Sequence, residues 1–468
     1  MEVYDLPEYS KPLINAGSPV SILAPDIIAL MKVLVCAYAC NPFHGSEEGV
    51  GWGWVNAIAQ HHEVWVLTAG YHRRDLEEAL RREPEKRGRI HFAYVKERPW
   101  HYRPTPAWTR IENSIVKPIM NWAYRSWLIS AFVFGRQLHR EIDFDLVQQV
   151  TYVGFRFPGR LWKLNIPFVW GPIGGLENTP WRLLPTMGPR GAMYYGARNV
   201  VNSMHRRFLR QPRKAFTAAG SGVIAATGGI CREIRRWYGV ESEVICEVGL
   251  PPETADKYAL RAEGEPLRLA WSGRHLPGKA LHLLLRALAK VPGTADWRLD
   301  IYGDGPCKIT WQRRAASLGI GSRCVWHGQV SRVEAIAALK SAHLFVTTSL
   351  KDLTSTVILE ALANGVPAVC PDHCGFADVV NERCGIKIPI GNVREFETGL
   401  SRAIVAIERD ETMRRRLADG ALRRARDFSW EAKAEAIDRV YDRVLRTARE
   451  KDVAVSKTVI EASGHSSR

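Results

Sequence analysis

The sequence lacks any long apolar run, and this excludes one broad class of protein. None of its hydrophobic stretches approaches the ~18 residues that a membrane-spanning helix needs. Residues 1–30 carry four acidic residues and lack a basic n-region, so they are not typical of a secretory signal peptide. A strand is predicted to begin directly at Met31, and we therefore expect residues 1–30 to be an N-terminal extension outside the fold.

Cysteine is scarce and scattered. The nine cysteines include no C-x-x-C pair, and the pairs spaced four apart, Cys36 with Cys40 and Cys370 with Cys374, have no matching histidines. Zinc sites and disulfide frameworks depend on such regular spacing. We therefore expect reduced thiols in a cytoplasmic protein. The protein itself is expected to be either free in the cytoplasm or at the inner face of the cytoplasmic membrane.

Length and charge limit the remaining classes. A chain of 468 residues is too long for a single core, which indicates at least two domains. Its composition, 46% apolar and 24% charged, is that of an ordinary globular protein. The net charge of +16 favours anionic partners, namely nucleic acid, nucleotides or an acidic membrane face. No DNA- or RNA-binding module is recognisable, so we expect no nucleic acid partner.

The stretch from residue 343 to residue 367 carries the most specific chemistry. An apolar strand at 343–347 opens into a polar loop, and Val357–Ala363 is predicted to form a short helix that Ser355 or Thr356 caps. The first turn of a helix binds anions through its free N–H groups. Asp352 precedes this turn, and Glu360 points back toward it. A carboxylate beside an anion site suits a ligand that carries both phosphate and hydroxyls, such as a nucleotide sugar.

This stretch resembles the signature of retaining glycosyltransferases of family four, which have the GT-B fold. Asp352 and Glu360 match its acid-x7-acid pattern, and Ala361–Pro367 matches the Ala-x-Ala-x-Gly-x-Pro that follows. The resemblance implies that the first acid contacts the donor sugar and that the second holds the ribose. Two departures concern the sugar: Asp replaces the usual Glu, and residues 353–355 replace Gly-aromatic-Gly. The alternative is an ordinary helix with a surface Asp and a buried, paired Glu.

A second motif lies upstream, after the predicted strand Leu267–Trp271. Gly273, Arg274 and Lys279 match the Gly-Arg-x4-Lys diphosphate clamp of the same family, although two surface cations are the alternative. Two positive groups can stabilise a leaving diphosphate without a metal. The resemblance implies that Asp352, Arg274 and Lys279 are catalytic. The donor-binding residues that it implies are Gly273, Arg274, Lys279, Gly305, Val330, Asp352, Thr354, Ser355, Thr356 and Glu360.

The first half of the chain alternates strands and helices, which predicts a parallel sheet. Its predicted strands are Met31–Ala39, Glu63–Thr68, Ile90–Val95, Leu146–Val150, Pro167–Trp170, Val223–Thr227 and Val244–Val248. The motif G-x-G-x-x-G is absent after the first strand, so a dinucleotide is not predicted there. In the family this loop approaches the diphosphate and the acceptor, which implies roles for Gly49 and Gly51. Close packing of helix on sheet explains the two glycines equally well.

Two further segments match the acceptor side of the family. By the same resemblance, related enzymes often have His near the outlet of the fourth strand, where this chain has Gln148 and Gln149. Gln can hydrogen-bond a sugar but cannot exchange protons at neutral pH. The resemblance implies that Gln149 and Glu177 belong to the acceptor loops. If the two glutamines replace a catalytic His, the protein either relies on donor geometry or is catalytically impaired.

Aromatic and basic residues alternate in Lys96–Arg140, and a second basic cluster lies at residues 206–214. Such a mixture suits a bilayer interface with anionic headgroups. A long amphipathic helix with core aromatics is the alternative. The pattern Asp143-Phe144-Asp145 binds a metal in a different glycosyltransferase fold, but here it precedes a strand, opposite the ligand side. We therefore predict no metal and no cofactor other than the substrate.

The fold predicted is α/β, with two Rossmann-like doubly wound domains of the GT-B type facing across a cleft. We place the acceptor domain at 31–252, a linker at 253–266 and the donor domain at 267–429. A helix at 430–450 is expected to cross back to the first domain, and 451–468 to form a flexible tail.

The resemblance to family four implies a hexosyltransferase that transfers a sugar from a nucleotide-diphosphate donor to a hydroxyl, with retention. The expected partners are a nucleotide sugar, a lipid-linked or glycan acceptor and, peripherally, the membrane. One alternative is a catalytically degenerate GT-B protein that binds nucleotide sugar or membrane without transfer. A sugar-nucleotide epimerase on the same fold is a third.

Overall fold

Parallel strands and their connecting helices form two sheets. The computed structural model describes residues 30–96, 116–251, 255 and 257–464. The first sheet has seven strands in the order β3-β2-β1-β4-β5-β6-β7. These strands are β1 Lys32–Ala37, β2 Glu63–Ala69, β3 Ile90–Val95, β4 Leu146–Thr151, β5 Phe168–Ile173, β6 Val223–Ala225 and β7 Glu243–Val244. The helices between them are α1 Ser46–Ala59, α2 Arg73–Arg82, α3 Val116–Ile142, α4 Gly188–Phe208, α5 Arg210–Ala219 and α6 Gly228–Tyr238.

The second sheet has six strands in the order β10-β9-β8-β11-β12-β13. These strands are β8 Leu267–Ser272, β9 Trp297–Tyr302, β10 Cys324–Gly328, β11 Leu344–Val346, β12 Ala368–Pro371 and β13 Gly385–Ile388. The helices are α7 Leu281–Leu288, α8 Lys308–Ser317, α9 Arg332–Ser341, α10 Thr356–Ala363, α11 Phe376–Val379, α12 Val393–Arg409, α13 Glu411–Arg426 and α14 Trp430–Gly464. All pairs in this sheet are parallel.

Two apolar cores cover the two faces of the second sheet. Successive strand residues point to opposite faces, so Leu269 belongs to one core and Ala270 to the other. The first core also contains the leucines of α7 and one face of α12. The second contains the apolar residues of α10 together with Ala421 and Ala425 of α13. Burial on both faces explains why β11 and β12 are continuously apolar, whereas β9 alternates apolar with charged residues.

The predicted strands are present, with one correction. The strand predicted at Val244–Val248 is reduced to the two residues of β7, and Val244 is 41% exposed. The Ile245 N–H still donates to the carbonyl of Ala225 in β6 at 3.0 Å, and after Ile245 the backbone is bound by side chains. Lys433 of α14 donates to the carbonyl of Cys246 at 2.8 Å, and the thiol of Cys246 donates to the carbonyl of Val248 at 3.0 Å. Apolar character alone does not reveal that these groups have other partners.

The last helix is longer than expected. It continues to Gly464, beyond residue 450 where the sequence suggested a flexible tail, because residues 451–463 contain neither proline nor glycine. Its first half contacts residues 220–246: Arg443 pairs with Glu243 at 3.1 Å, and Ser221 donates to Thr447 at 3.4 Å. This is the region that the predicted crossing helix was expected to reach.

The chain divides into two compact units. The first consists of Met1–Tyr152 and Gly159–Phe168, and the second of Val153–Pro158 and Val169–Arg468. The division falls earlier in the chain than the linker at 253–266, whose bounds stay a prediction. Of the aromatic and basic segment Lys96–Arg140, residues 97–115 lie outside the described ranges. Within the described part, no helix is long and apolar enough to cross a membrane.

Candidate active site

The two loops predicted to bind the donor lie where the strand order of the second sheet reverses. The chain runs outward from β8 through β9 to β10, and β11 then returns to the other side of β8. In open α/β sheets, ligands bind at such a reversal, outside the carboxyl ends of the strands. Residues 273–280 follow β8 and residues 347–355 follow β11. The topology therefore explains why two motifs far apart in sequence reach one place.

Main-chain and side-chain hydrogen bonds hold these two loops together. The Leu350 N–H donates to the carbonyl of Gly278 at 2.8 Å. The Thr348 hydroxyl donates to the carbonyl of Lys279 at 3.0 Å. Both Thr348 and Leu350 are fully buried, so these bonds are shielded from water. The backbone at Lys279 is thus fixed relative to the loop that carries Asp352.

The side chains of Lys279 and Asp352 form an ion pair. They are 24% and 22% exposed, so the pair is partly shielded and still open to solvent on one side. The Ser349 hydroxyl also lies 3.3 Å from the Asp352 carboxylate and donates to it. A cation from the clamp motif and the first acid of the acid-x7-acid motif therefore meet, as the nucleotide-sugar hypothesis requires.

The glycine-rich loops after β8 and β9 bind each other through main-chain groups. His275 N–H donates to the carbonyl of Asp304 at 2.8 Å, and Cys307 N–H donates to the carbonyl of His275 at 3.0 Å. Gly303 has a φ of 112°, and a Cβ there would lie 2.2 Å from the carbonyl oxygen of Gly273. Only glycine allows this approach. Arg274 is exposed on the loop after β8, and Gly305 of the loop after β9 lies against the backbone of His275.

Glu360 lies on α10 and is almost buried, with 11% of its side chain exposed. Its carboxylate pairs with the Arg332 guanidinium at 3.0 Å. Arg332 is the first residue of α9, whose start is fixed by a capping box between Ser331 and Glu334. Val330 precedes this cap, in the loop predicted to contact the base. The structure thus brings together Glu360 and the base loop through Arg332, a residue that the sequence analysis did not identify.

The start of α10 departs from the predicted geometry in one detail. Ser355 is the N-cap residue, as expected, but its side chain makes no capping hydrogen bond. Thr356 begins the helix, and the Thr354 N–H donates to the Glu247 carboxylate at 2.8 Å. The Thr354 side chain is buried against Gly375. The Thr354 N–H is therefore occupied, and the predicted anion site is left to the N–H groups that follow it.

Glu247 is a buried carboxyl that the sequence analysis did not single out. It is 5% exposed, and burial raises its pKa to about 7, with the nearby Asp352 charge contributing in the same direction. The hydrogen bond from Thr354 and the charge of Lys433 act the other way. A carboxyl with such a pKa exchanges its proton near neutrality, directly behind the loop that carries Asp352. Its only sequence signal is an acid in an apolar stretch, at residues 244–250.

A second polar cluster surrounds Glu177. The Thr227 hydroxyl donates to its carboxylate at 2.9 Å, and His373 Nδ1 lies 3.8 Å from the same group. Lys351, next to Asp352, donates to the backbone carbonyl of Glu177 at 2.6 Å. Burial raises the pKa of Glu177 and lowers that of Lys351. Glu177 therefore supports the loop before Asp352, and its role in binding an acceptor stays a prediction.

His373 is neutral at physiological pH, because burial lowers its pKa to about 4. Next to it in the cluster, Asp378 accepts the Gly228 N–H at 2.8 Å, and burial raises the pKa of this carboxyl. Sequence spacing does not reveal this arrangement, since Glu177, Thr227 and His373 come from segments about 50 to 200 residues apart. No cluster of metal-ligating side chains occurs in the part of the chain that the structure describes.

The other predicted acceptor residues belong to the first compact unit. Gly51 approaches the loop after β1 so closely that a Cβ would lie 1.9 Å from the carbonyl oxygen of Ala39, and a Cβ at Gly49 would lie 2.8 Å from the carbonyl oxygen of His44. Gln149 is buried and donates to the carbonyl of Thr151 at 2.8 Å. These contacts supply a packing role for each residue. Their contacts with an acceptor stay predictions.

Comparison with known families identifies the domain that carries the ion pair. The model of the family described as "Glycosyl transferases group 1" matches residues 253–424. These residues form a glycosyl transferases group 1 domain. The group 1 domain contains Arg274, Lys279, Asp352 and Glu360, on which the resemblance to family four rests. That resemblance is confirmed.

The group 1 domain also has relatives and structural neighbours that extend beyond it. The chain is 29% identical over 300 residues to the D-inositol 3-phosphate glycosyltransferase of Nocardia farcinica (strain IFM 10152), covering 59% of this chain and 64% of that protein. Sucrose-phosphate synthase from Thermosynechococcus elongatus superimposes with a TM-score of 0.58 at 16% identity, covering 89% of this chain and all of that one. HepE of Anabaena in complex with UDP gives a TM-score of 0.52 at 15% identity, with the same coverage of this chain. The predicted GT-B fold is confirmed.

Proposed function

We propose that this protein transfers a sugar from a nucleoside-diphosphate donor to a hydroxyl acceptor, with retention of anomeric configuration and without a metal. The observation that carries the proposal is the ion pair between Lys279 and Asp352. It joins a cation suited to a diphosphate and an acid suited to sugar hydroxyls at the reversal point of the sheet. The match of residues 253–424 to the group 1 family supports the same reaction class.

In this proposal the residues act by charge and position. Lys279 and Arg274 neutralise the charge that develops on the diphosphate as the sugar leaves, and the N–H groups at the start of α10 contribute to the same anion site. Asp352 accepts hydrogen bonds from sugar hydroxyls, and Glu360 accepts those of the ribose. Donor binding therefore separates the Lys279–Asp352 pair and reorients the Arg332–Glu360 pair. Arg332, beside the base loop, becomes available to the nucleotide.

The transferred sugar is proposed to be a hexose, and the acceptor a hydroxyl of a lipid-linked glycan at the inner face of the cytoplasmic membrane, in polysaccharide assembly. The basic character of the chain, with a net charge of +16, supports an acceptor presented at an anionic surface. The relative from Nocardia farcinica is a glycosyltransferase by name, and HepE was solved with UDP. A uridine nucleotide is therefore the first donor type to test.

The first experiment is a thermal-shift panel of UDP-, GDP- and ADP-sugars on the full chain. A ligand that binds only the folded state at a hundred times its Kd adds about 2.7 kcal/mol of stability, which raises the melting temperature. Donor hydrolysis is then measured for the wild type and for Glu360→Ala. The exposed Glu382 provides a matched control as Glu382→Ala. We expect hydrolysis in the wild type and the control and its loss in Glu360→Ala.

The degenerate binder remains the second candidate, because one observation favours it. Gln148 and Gln149, which occupy the positions where relatives often have His, are both buried in the first unit. If a donor stabilises the protein and yet no hydrolysis or transfer occurs in the wild type, the binder is correct and the transferase is wrong. If no nucleotide sugar stabilises the protein, both proposals fail.

A further inference from the structure

One face of helix α4 is apolar and exposed. Five of its exposed apolar residues share one side: Met193 at 72%, Val200 at 51%, Val201 at 45%, Met204 at 53% and Phe208 at 67%. At 100° per residue these side chains fall within an arc of about 100°. The opposite side of the helix is buried through Tyr195, Asn199, Asn202 and Arg206. We call the five apolar residues the exposed α4 face.

An indole lies beside this face. Trp181 is 54% exposed, and its ring would lie 3.8 Å from a Cβ at Gly196 of α4. A large exposed apolar patch on a soluble protein marks an interaction surface more often than chance. Trp beside aliphatic and thioether side chains is the composition of segments that lie at the lipid–water boundary.

The charges around the exposed α4 face have one sign. Residues 188–219, which span α4 and α5, contain seven arginines and lysines and no aspartate or glutamate. Arg206 is buried and pairs with Glu233. The other six cations are exposed: Arg190, Arg198, Arg207, Arg210, Arg213 and Lys214. Any partner of this face must therefore tolerate a strong positive field.

We propose that the exposed α4 face docks on the surface of an anionic lipid bilayer, with its apolar side chains in the headgroup region and the six cations on lipid phosphates. A second copy of the chain fits the charges poorly. In a two-fold symmetric dimer the same patch meets itself, so the cations of one copy would face those of the other. An anionic bilayer supplies both the apolar layer and the opposite charge. This surface goes beyond the proposed sugar transfer and does not depend on it.

The test is co-sedimentation of the full chain with vesicles, without any nucleotide sugar. One set contains equal parts of phosphatidylcholine and phosphatidylglycerol, and the other contains phosphatidylcholine alone. We expect binding to the anionic set, weakened by salt, and a loss of about fivefold in binding constant for each of Arg210 and Arg213 replaced by alanine. The double variant Met204→Glu with Phe208→Glu should not bind. The control Leu260→Glu, at a position as exposed as Phe208 (67% each), should bind like the wild type.

Three results would overturn the proposal. They are equal binding to both vesicle sets, wild-type binding by the double variant, and a dimer in light scattering that the double variant dissociates. The melting temperature of each variant shows whether it is folded. Donor hydrolysis by the double variant, measured in solution, distinguishes loss of docking from loss of the proposed activity.

Discussion

Replacing Glu247 by glutamine should make the protein more stable above neutral pH. The carboxyl is 5% exposed and accepts the Thr354 N–H, a bond that an amide oxygen can also accept. The substitution therefore keeps the shape and the hydrogen bond and removes the ability to ionise. The paired variant Glu247→Leu removes the acceptor as well, leaving a buried N–H without its partner, which costs about 1–3 kcal/mol.

The raised pKa of Glu247 determines the size and the sign of the change in stability. Burial raises the pKa of Glu247 from 4.5 to about 7, so between these values the folded protein holds a proton that the unfolded chain has released. The free energy of unfolding therefore decreases as pH rises from 4.5 to 7 and is constant above that. At about 1.4 kcal/mol per pH unit, the difference amounts to roughly 3 kcal/mol. Glu247→Gln removes this loss above neutral pH. Near pH 4.5, where the wild-type carboxyl is protonated, the substitution should change the stability little.

The measurement is the melting temperature of the wild type, Glu247→Gln and Glu247→Leu from pH 4.5 to 8.5. The difference between the glutamine variant and the wild type isolates Glu247 from other titrating groups. The exposed carboxyl of Glu382 supplies the control Glu382→Gln, which should leave the profile unchanged. If the glutamine variant and the wild type lose stability in parallel between pH 5 and 7, Glu247 does not carry a raised pKa and the reasoning is refuted.

Three further predictions concern single side chains. Lys279→Met leaves the Asp352 carboxylate without its cation. It should lower kcat/KM for the donor about 10- to 100-fold, which corresponds to the loss of one charged hydrogen bond. Unchanged kinetics would contradict a role of Lys279 in binding the diphosphate. Thr227→Val removes the donor to Glu177 and the N-cap acceptor of the Ile230 N–H, and should cost about 1–3 kcal/mol in urea unfolding, whereas Thr227→Ser keeps both bonds and should be nearly neutral. Burial lowers the pKa of His282 from 6.5 to about 4, so the unfolded chain takes up a proton first and stability falls as pH decreases through this window. His282→Leu should flatten the melting profile there, and a parallel profile would exclude His282 as a source of acid lability.

Sequence reasoning located the elements and the main site loops because these depend on local signals. Apolar runs bounded by glycine or proline predicted the strands, and the strand order then placed Lys279 beside Asp352. The predicted end of β7 at Val248 was wrong because the carbonyl of Cys246 is bound by Lys433, almost 190 residues later. No local pattern contains that information.

The same limit applies to the site residues that the sequence did not reveal. Arg332 and Glu247 owe their importance to partners on other segments, Glu360 and Thr354 respectively. The residues next to Arg332 in sequence are typical of a helix start, and those next to Glu247 are typical of an apolar turn. Charge and burial at these positions result from packing, which appears only once the chain is folded.

The loops after β8, β9 and β10 are joined through backbone groups, with Gly273 bonded to Tyr302, His275 to Asp304 and Gly303 to Gly328. Peptide groups are the same whatever side chains they carry. Substitutions of the side chains on these loops therefore leave the backbone bonds between the loops in place, provided that the glycines persist. A backbone held in this way can keep its shape while its sequence diverges, as in the superposition on a sucrose-phosphate synthase at 16% identity.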